Sequence, residues 1–234
     1  TLGTTEIIAS DKTGTLTQNK MTVEKIYTPE TLQEAEKADF GVTDHLTQIM
    51  VLANDSQQTT DGLVGDPTET ALIQYYLNKK VSLEQLYTNF NRITSVPFDS
   101  ERKLMSVVVE HKQEKYVMVK GAIDELLKRT TKIETGNNVR SITEQDRTKI
   151  LEINHSLAQQ ALRVLGFAYS PLETVPASPS SEALERDLIF VGMIGMIDPE
   201  RPEAQAAVAE ARAAGIRPIM ITGDHKDTAT AIAN

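Results

Sequence analysis

Residues 11–17, Asp-Lys-Thr-Gly-Thr-Leu-Thr, combine a carboxylate, a lysine, a glycine and three hydroxyl groups. They follow an apolar run, residues 7–10, that predicts a short buried strand. A carboxylate at the carboxyl end of such a strand lies at the rim of an open α/β sheet, where these sheets bind ligands. An aspartate is ionised at neutral pH and can attack phosphorus. Gly14 allows amides and hydroxyls to crowd around a phosphoryl group, so the segment has the residue types that a nucleophilic carboxylate needs.

A second loop with similar residue types follows a predicted strand near the other end of the chain. Residues 202–214 have helical composition, and Gly215 is placed as a C-cap. Residues 216–221 then predict a buried strand that closes on Thr222-Gly223-Asp224. A strand end followed by a helix start is the expected place for an anion. We expect the strands from the two ends to lie side by side in one parallel sheet.

The middle of the chain has its own pattern of elements. Residues 66–69, Asp-Pro-Thr-Glu, predict a helix start with a cap residue, a proline at N1 and a glutamate at N3. Further helices are predicted over residues 122–128 and after a capping Thr143. Strands are predicted at residues 93–98, 104–110, 116–119, 163–169 and 188–196. Residues 111–114 are predicted as a hairpin turn, and residues 171–181 as a surface loop.

Composition narrows the class of protein. The chain has 234 residues, enough for one large or two modest domains, and 40% of them are hydrophobic. No apolar stretch approaches the roughly 20 residues that a membrane-spanning helix needs. The absence of cysteine excludes disulfides and thiolate metal sites. A net charge of −9 without a dense cluster of Lys or Arg argues against a nucleic-acid surface, so we expect no nucleic-acid partner.

Residues 11–17 resemble the phosphorylation signature of the P-type ion-pumping ATPases, and residues 1–3 and 18–23 resemble the type II, calcium-pump-like branch. The resemblance implies an α/β and α+β architecture. An antiparallel-sheet nucleotide-binding domain with flanking helices would be inserted into a partial parallel-sheet phosphorylation domain of haloacid-dehalogenase-like, Rossmann-like fold. It implies boundaries of 24–196 for the nucleotide-binding domain, and of 1–23 and 197–234 for the phosphorylation domain.

The resemblance also implies an ATP site in the middle of the chain. There the ring of Phe98 would stack on adenine, although its position alone fits a core phenylalanine equally well. Glu69 would accept a hydrogen bond from the adenine amine, although a glutamate at N3 of a capped helix needs no ligand. Ser100 stands where calcium pumps usually carry an arginine, which removes one phosphate contact. The remaining implied contacts with the nucleotide are Lys103, Lys120, Gly121 and Arg163.

The phosphoryl-transfer residues follow from the same resemblance. Asp11 is the implied nucleophile, which accepts the γ-phosphoryl of ATP, and Lys12 belongs to its motif. Asp11 and Thr13 would bind Mg²⁺, which bridges phosphate oxygens in such reactions. The second phosphate-binding loop would be formed by Thr222, Gly223 and Asp224. A hinge motif at residues 198–201 would use Asp198 and Arg201, and Arg201 would approach ATP when the domains close.

The chain does not begin with methionine and ends within a predicted helix, so we expect a piece of a larger multi-pass protein of the cell membrane. This piece would lie on the cytoplasmic side as a monomer, with the actuator and transmembrane domains elsewhere on the same polypeptide. Since later phosphorylation-domain motifs are missing, we expect weak ATP binding without turnover. Calcium is the first choice of ion.

Two other functions compete with the pump. A phosphohydrolase of the haloacid-dehalogenase type shares the nucleophile strand, but it usually has a second aspartate at the position of Thr13. A non-catalytic nucleotide-binding module is the other alternative. Transmembrane segments in the full-length protein would favour the pump over both.

Overall fold

The computed structural model describes residues 5–60 and 62–221. The strands are β1 (Ile7–Asp11), β2 (Thr22–Tyr27), β3 (Leu32–Glu34), β4 (Gln57–Thr59), β5 (Gly62–Val64), β6 (Asn91–Val96), β7 (Leu104–His111), β8 (Glu114–Gly121), β9 (Thr130–Thr135), β10 (Asn138–Ser141), β11 (Arg163–Leu172), β12 (Leu188–Ile197) and β13 (Arg217–Ile221). The helices are α1 (His45–Leu52), α2 (Pro67–Asn78), α3 (Glu84–Asn89), α4 (Ile123–Lys128), α5 (Glu144–Gln159), α6 (Ser181–Leu184) and α7 (Ala204–Ala213), and a π-helical turn spans Lys12–Leu16.

Nine strands form one large sheet, whose main path runs β10-β9-β12-β11-β8-β7-β6. Strand β2 pairs with β12 and carries β3 on its other side. The pairings are antiparallel except between β9 and β12. This confirms a mixed α/β fold with a mainly antiparallel sheet.

Both faces of the large sheet are buried. On β7, Met105 and Val107 pack on the side of α1, α2 and α3, whereas Leu104 and Val108 pack on the side of α4, α5 and α6. Burial on both faces explains the uninterrupted apolar runs within these strands, residues 107–109 of β7 and 116–119 of β8. The hairpin predicted between them is confirmed, with Lys112 and Gln113 in its turn, both at positive φ.

Two predicted helix starts are confirmed. The side chain of Asp66 accepts a hydrogen bond from the amide of Thr68 at 2.8 Å, and Pro67 is the first residue of α2. Thr143 and Asp146 form a reciprocal capping box at the start of α5. The Arg140 side chain, hydrogen-bonded to Asp146, holds the pKa of that carboxyl well below its usual range, and the cap at Thr143 acts in the same direction.

Strands β1 and β13 form a separate parallel sheet, in which Ile7 pairs with Arg217 and Asp11 with Ile221. This confirms that the two ends of the described chain lie side by side. The prediction that both strands are buried is wrong for the described residues, since Ile7 is 52% exposed and Ile221 58%. Helix α7 contacts β13 but has no buried residue, so the described residues cover these strands only in part.

Several predicted element boundaries differ from the structure, two of them by enough to move a residue or loop discussed above. Strand β6 ends at Val96, so Phe98 lies in the loop beyond it rather than in the strand. The predicted loop 171–181 begins later, because β11 continues to Leu172, and it ends at α6.

Among the described residues, no helix combines the length and the apolar character needed to cross a bilayer.

Candidate functional site

Strand register brings the residues of the predicted ATP site to one end of the large sheet. Gly121, the last residue of β8, pairs with Leu104 of β7 and with Gly166 of β11. The last residue of β6, Val96, pairs with Ser106, the third residue of β7. This end of the sheet therefore carries the loop after β6, the residue before β7, the end of β8 and the start of β11, which hold Phe98, Lys103, Lys120, Gly121 and Arg163.

The loop between β6 and β7, residues 97–103, is called the aromatic loop. Its turn is closed by Asp99, whose Oδ1 accepts hydrogen bonds from the amides of Glu101 at 3.0 Å and Arg102 at 2.8 Å. Phe98 is 62% exposed on this loop, so the core position considered for it is wrong. An exposed ring leaves its face free for a flat partner. Lys103 is also exposed and has a φ of 56°.

A buried ion pair lies at the same end of the large sheet. Lys120 is 6% exposed, and its Nζ lies 2.5 Å from Oε1 of Glu69 in the first turn of α2. The other oxygen of Glu69 accepts a hydrogen bond from the amide of Asp55 at 3.0 Å. Burial lowers the pKa of Lys120, and the charge of Glu69 opposes that shift. The side chain of Lys120 therefore points inward, and Glu69 is its counter-ion.

Arg163 extends this polar group to the start of β11. Its Nη1 donates a hydrogen bond to Oγ1 of Thr68 at 2.9 Å, and Thr68 precedes Glu69. Thr68 and Asp55, which position these charges, had no signal in the sequence beyond their place near the helix start. The Arg163–Thr68 and Lys120–Glu69 contacts thus meet at two neighbouring residues in the first turn of α2.

Gly121 has a structural requirement of its own. Its φ is +154°, and a Cβ at this position would lie 2.2 Å from the carbonyl oxygen of Lys103. The amide of Ala122 donates to the same oxygen at 3.0 Å. The missing side chain therefore lets the end of β8 lie directly against the end of the aromatic loop.

The signature segment lies at the end of the small sheet. Asp11 is the last residue of β1, is exposed, and does not cap the π-helical turn that follows. Gly14 in this turn has a φ of +78°, a conformation that favours glycine. Lys12 is buried, and Thr13 lies in the same turn. The predicted partners Thr222, Gly223 and Asp224 lie outside the described residues.

Residues 198–201 hold this turn from the other end of the chain. The Arg201 guanidinium donates to the carbonyl of Gly14 at 3.0 Å and to that of Thr17 at 3.1 Å. Oδ2 of Asp198 accepts a hydrogen bond from the hydroxyl of Thr17 at 2.5 Å, and its Oδ1 accepts one from the amide of Lys20 at 3.0 Å. Sequence reasoning missed Thr17, which is fully buried at the centre of these contacts.

A comparison with protein families decides the class. The model of "P-type ATPase, cytoplasmic domain N" matches residues 42–203. The chain belongs to this family. The domain N match covers the residues of the predicted ATP site and those of the predicted hinge, Asp198 and Arg201, whereas residues 11–17 lie outside it.

The names of similar proteins agree with this family assignment. The chain is 44% identical to "Calcium-transporting ATPase 1" of Bacillus cereus over 99% of its own length and 26% of the relative. It is 43% identical to a protein of that name in Lactococcus lactis over 100% and 27%, and 32% identical to one in Saccharomyces cerevisiae over 100% and 27%. The chain thus spans about a quarter of the length of these relatives.

The donor set near Asp11 fits part of a magnesium site. Mg²⁺ is usually bound by one or two carboxylates together with substrate phosphates and water. Asp11 offers one exposed carboxylate beside a turn of backbone carbonyls and amides. In the part of this domain N chain that the structure describes, no three acidic, His or Cys side chains cluster as metal ligands. The described residues therefore offer a magnesium ion one carboxylate ligand, that of Asp11.

Proposed function

We propose that this chain binds ATP at the end of the large sheet and, within a longer protein, receives the γ-phosphoryl on Asp11 during cation transport. Calcium is the ion that the names of the relatives favour. The observation that carries the proposal is the convergence of an exposed aromatic ring, cations and a buried ion pair at one sheet end. Family membership supports it.

In this proposal the aromatic loop supplies the base contact. The exposed ring of Phe98 stacks on adenine, and its 62% exposure leaves room for that contact. Lys103, at the far end of the same loop, pairs with phosphate. Lys120 and Glu69 form the floor of the site, where Glu69 accepts from the adenine amine. Arg163 faces phosphate from the start of β11.

The second part of the proposal concerns phosphoryl transfer to Asp11. Asp11 attacks the γ-phosphorus, and an aspartyl-phosphate forms as the bond to ADP breaks. Mg²⁺, when bound with the nucleotide, neutralises charge on the phosphate oxygens. Arg201 and Asp198 keep the turn at residues 12–16 in the shape that presents the carboxylate. Lys12, Thr13, Thr222, Gly223 and Asp224 complete the phosphate-binding loops.

The proposal includes an arrangement of domains. Residues 24–196 form the nucleotide-binding domain, and residues 1–23 and 197–234 belong to a phosphorylation domain of haloacid-dehalogenase-like fold. The parallel pairing of β1 with β13 supports this grouping. The rest of the polypeptide, with its transmembrane and actuator domains, spans the cell membrane and leaves this portion on the cytoplasmic side. The partner of this portion is the nucleotide.

A titration of MgATP tests the binding half. We expect ¹⁵N-labelled protein to show NMR shifts near Phe98 and Lys120. The variant Phe98→Ala should weaken binding about tenfold, since base–aromatic stacking contributes about 1–3 kcal/mol. Tyr87→Ala is the matched control, because Tyr87 is similarly exposed, at 54%, but lies on α3. No shift at Phe98 or Lys120, or equal losses in both variants, would refute the site.

A phosphorylation assay tests the other half in the full-length protein. Labelled ATP should leave acid-stable phosphate on the protein, and Asp11→Asn should abolish it. A non-catalytic nucleotide-binding module would bind ATP and never become labelled. A phosphohydrolase would release phosphate at the same rate with and without the transported cation. Either result would replace the pump assignment while leaving the ATP site intact.

A further inference from the structure

One buried ion pair ties the aromatic loop to Glu185, which lies between α6 and β12. Nη1 of Arg102 contacts Oε1 of Glu185, and Nη2 donates to the carbonyl of Pro97 at 2.5 Å. The side chain of Glu185 is 0% exposed and that of Arg102 is 11%. The guanidinium of Arg102 therefore joins the residue before Phe98 to a carboxylate that lies 83 positions after Arg102.

The Glu185 carboxylate is itself firmly held. Glu185 follows α6, and its amide donates to the carbonyl of Ser181 at 2.8 Å. Leu184 and Leu188 on either side are buried in the core. Nε of Arg129 lies 3.8 Å from Oε2, and that oxygen makes no hydrogen bond within the described residues. Because a buried carboxylate needs compensating charge, Glu185 is a fixed anchor for Arg102.

The two ends of the aromatic loop are attached by different means. Its far end is fixed by the hydrogen bond from the amide of Ala122 to the carbonyl of Lys103, at 3.0 Å. Asp99 shapes the turn inside the loop but does not connect it to the sheet. The near end, next to Phe98, is held by the contacts of Arg102. The planar fork of arginine suits this role, because two of its nitrogens point to two different oxygens.

We propose that Arg102 is a positioning residue for nucleotide binding, which acts through the aromatic loop and does not contact phosphate. Its charge is already matched by Glu185. Its Nη2 holds the carbonyl of Pro97, the residue directly before Phe98. A loop that is ordered before binding loses less conformational entropy when the base stacks. This inference rests on the proposed ATP site and adds the element that preorganises it.

Paired variants at the two arginines test the inference. Arg102→Gln should raise the dissociation constant for MgATP about tenfold, the factor produced by about 1.4 kcal/mol of lost preorganisation. Arg129→Gln is the matched control, because Arg129 faces the same carboxylate from the end of α4. We expect it to lower the melting temperature and to change the affinity less than twofold.

A second measurement reports on the loop without any nucleotide. In the free protein, the ¹H–¹⁵N heteronuclear NOE of Phe98 and Asp99 should fall in Arg102→Gln and stay unchanged in Arg129→Gln. Arg102→Lys keeps a positive charge opposite Glu185 but cannot reach two oxygens with a planar fork. It should recover thermal stability more fully than affinity, and it replaces Arg102→Gln if that variant does not fold.

The outcomes separate this inference from the proposed function. If the unaltered protein binds MgATP at Phe98 and Lys120, but the Arg102 variants bind equally well, the positioning role is wrong and the site stands. Equal loss of affinity in the Arg129 variant would mean that the ion pair serves stability alone. If the unaltered protein shows no binding, the proposed function and this inference both fail.

Discussion

The large and the small sheet are built from strands of similar apolar character, yet they differ in what covers them. Ile194, on β12, is fully buried, whereas Ile221, on β13, is 58% exposed. Helices from the same chain pack on both faces of the large sheet. Among the described residues, the small sheet has no comparable cover. The proposed ATP site is therefore supported by a core that described residues cover on both faces. The signature loop, by contrast, depends on the polar contacts of residues 198–201.

The largest expected effect concerns the junction of β8 with the aromatic loop. Gly121→Ala should lower the free energy of unfolding by about 4 kcal/mol, because its Cβ would lie 2.2 Å from a backbone oxygen. Gly62→Ala is the control, since Gly62 also has a positive φ, +124°, but nothing lies within 4 Å of its Cβ position. Urea unfolding measures both. Similar losses would mean that backbone strain, and not the close approach, decides the cost.

A pair of isoleucine truncations tests the contrast between the sheets directly. Ile194→Ala should cost about 3 kcal/mol, since it leaves a cavity in a closed core. Ile221→Ala should cost less than about 0.5 kcal/mol, because its side chain is already 58% exposed. Chemical denaturation of both variants checks this. Comparable losses would show that the small sheet is covered in solution.

A tyrosine in the large core gives a pH dependence. Burial, reinforced by the charge of Asp39, raises the pKa of Tyr75 to about 12. The folded state therefore holds this proton more tightly than the unfolded chain, so stability is lost as the pH rises from about 10 toward 12. Tyr75→Phe should cost about 1 kcal/mol at pH 7, because the hydroxyl donates to the carbonyl of Ala35 at 3.0 Å.

In the same variant, the decline of stability at alkaline pH should be shallower than in the unaltered protein. Urea unfolding between pH 7 and pH 11 measures the slope. Equal slopes would show that other groups account for the alkaline loss.

A small effect on global stability is expected at the signature loop. Thr17→Val removes the hydroxyl that bonds Asp198 but keeps the shape of the side chain. Because these contacts organise a loop and not the main core, the free energy of unfolding should change by less than about 1 kcal/mol. Amide exchange at Gly14 and Lys20 should nevertheless become faster. Unchanged exchange would mean that Arg201 alone holds the turn.

Local signals predicted much of this fold. Asp66 and Pro67 mark a helix start because a side-chain acceptor and a residue without an amide hydrogen suit the unpaired amides there. Gly215 was recognised after α7 in the same way, and it has a φ of +79°. Such features depend on a few neighbouring residues, so the sequence states them directly.

Contacts between distant residues could not be predicted in this way. Thr17 and Asp198 are 181 positions apart, and Arg102 and Glu185 are 83 apart, so no periodicity connects them. The apolar runs of β1 and β13 predicted burial, but burial depends on which elements cover a strand and not on the strand itself. The resemblance supplied the residues of the proposed site, whereas the Lys120–Glu69 pair needed the fold to bring them together.

Strands β2 and β12 are the two passages of the chain between the sheets, and they are paired with each other. Their ladder extends from Tyr27 and Met193 to Thr22 and Ile197, directly before the contacts of Asp198. Separating the two passages would break this ladder, so they are held together as one paired ribbon. Asp198 follows directly on this ribbon, and its hydrogen bonds to Thr17 and Lys20 connect the signature segment, and with it Asp11, to the large sheet.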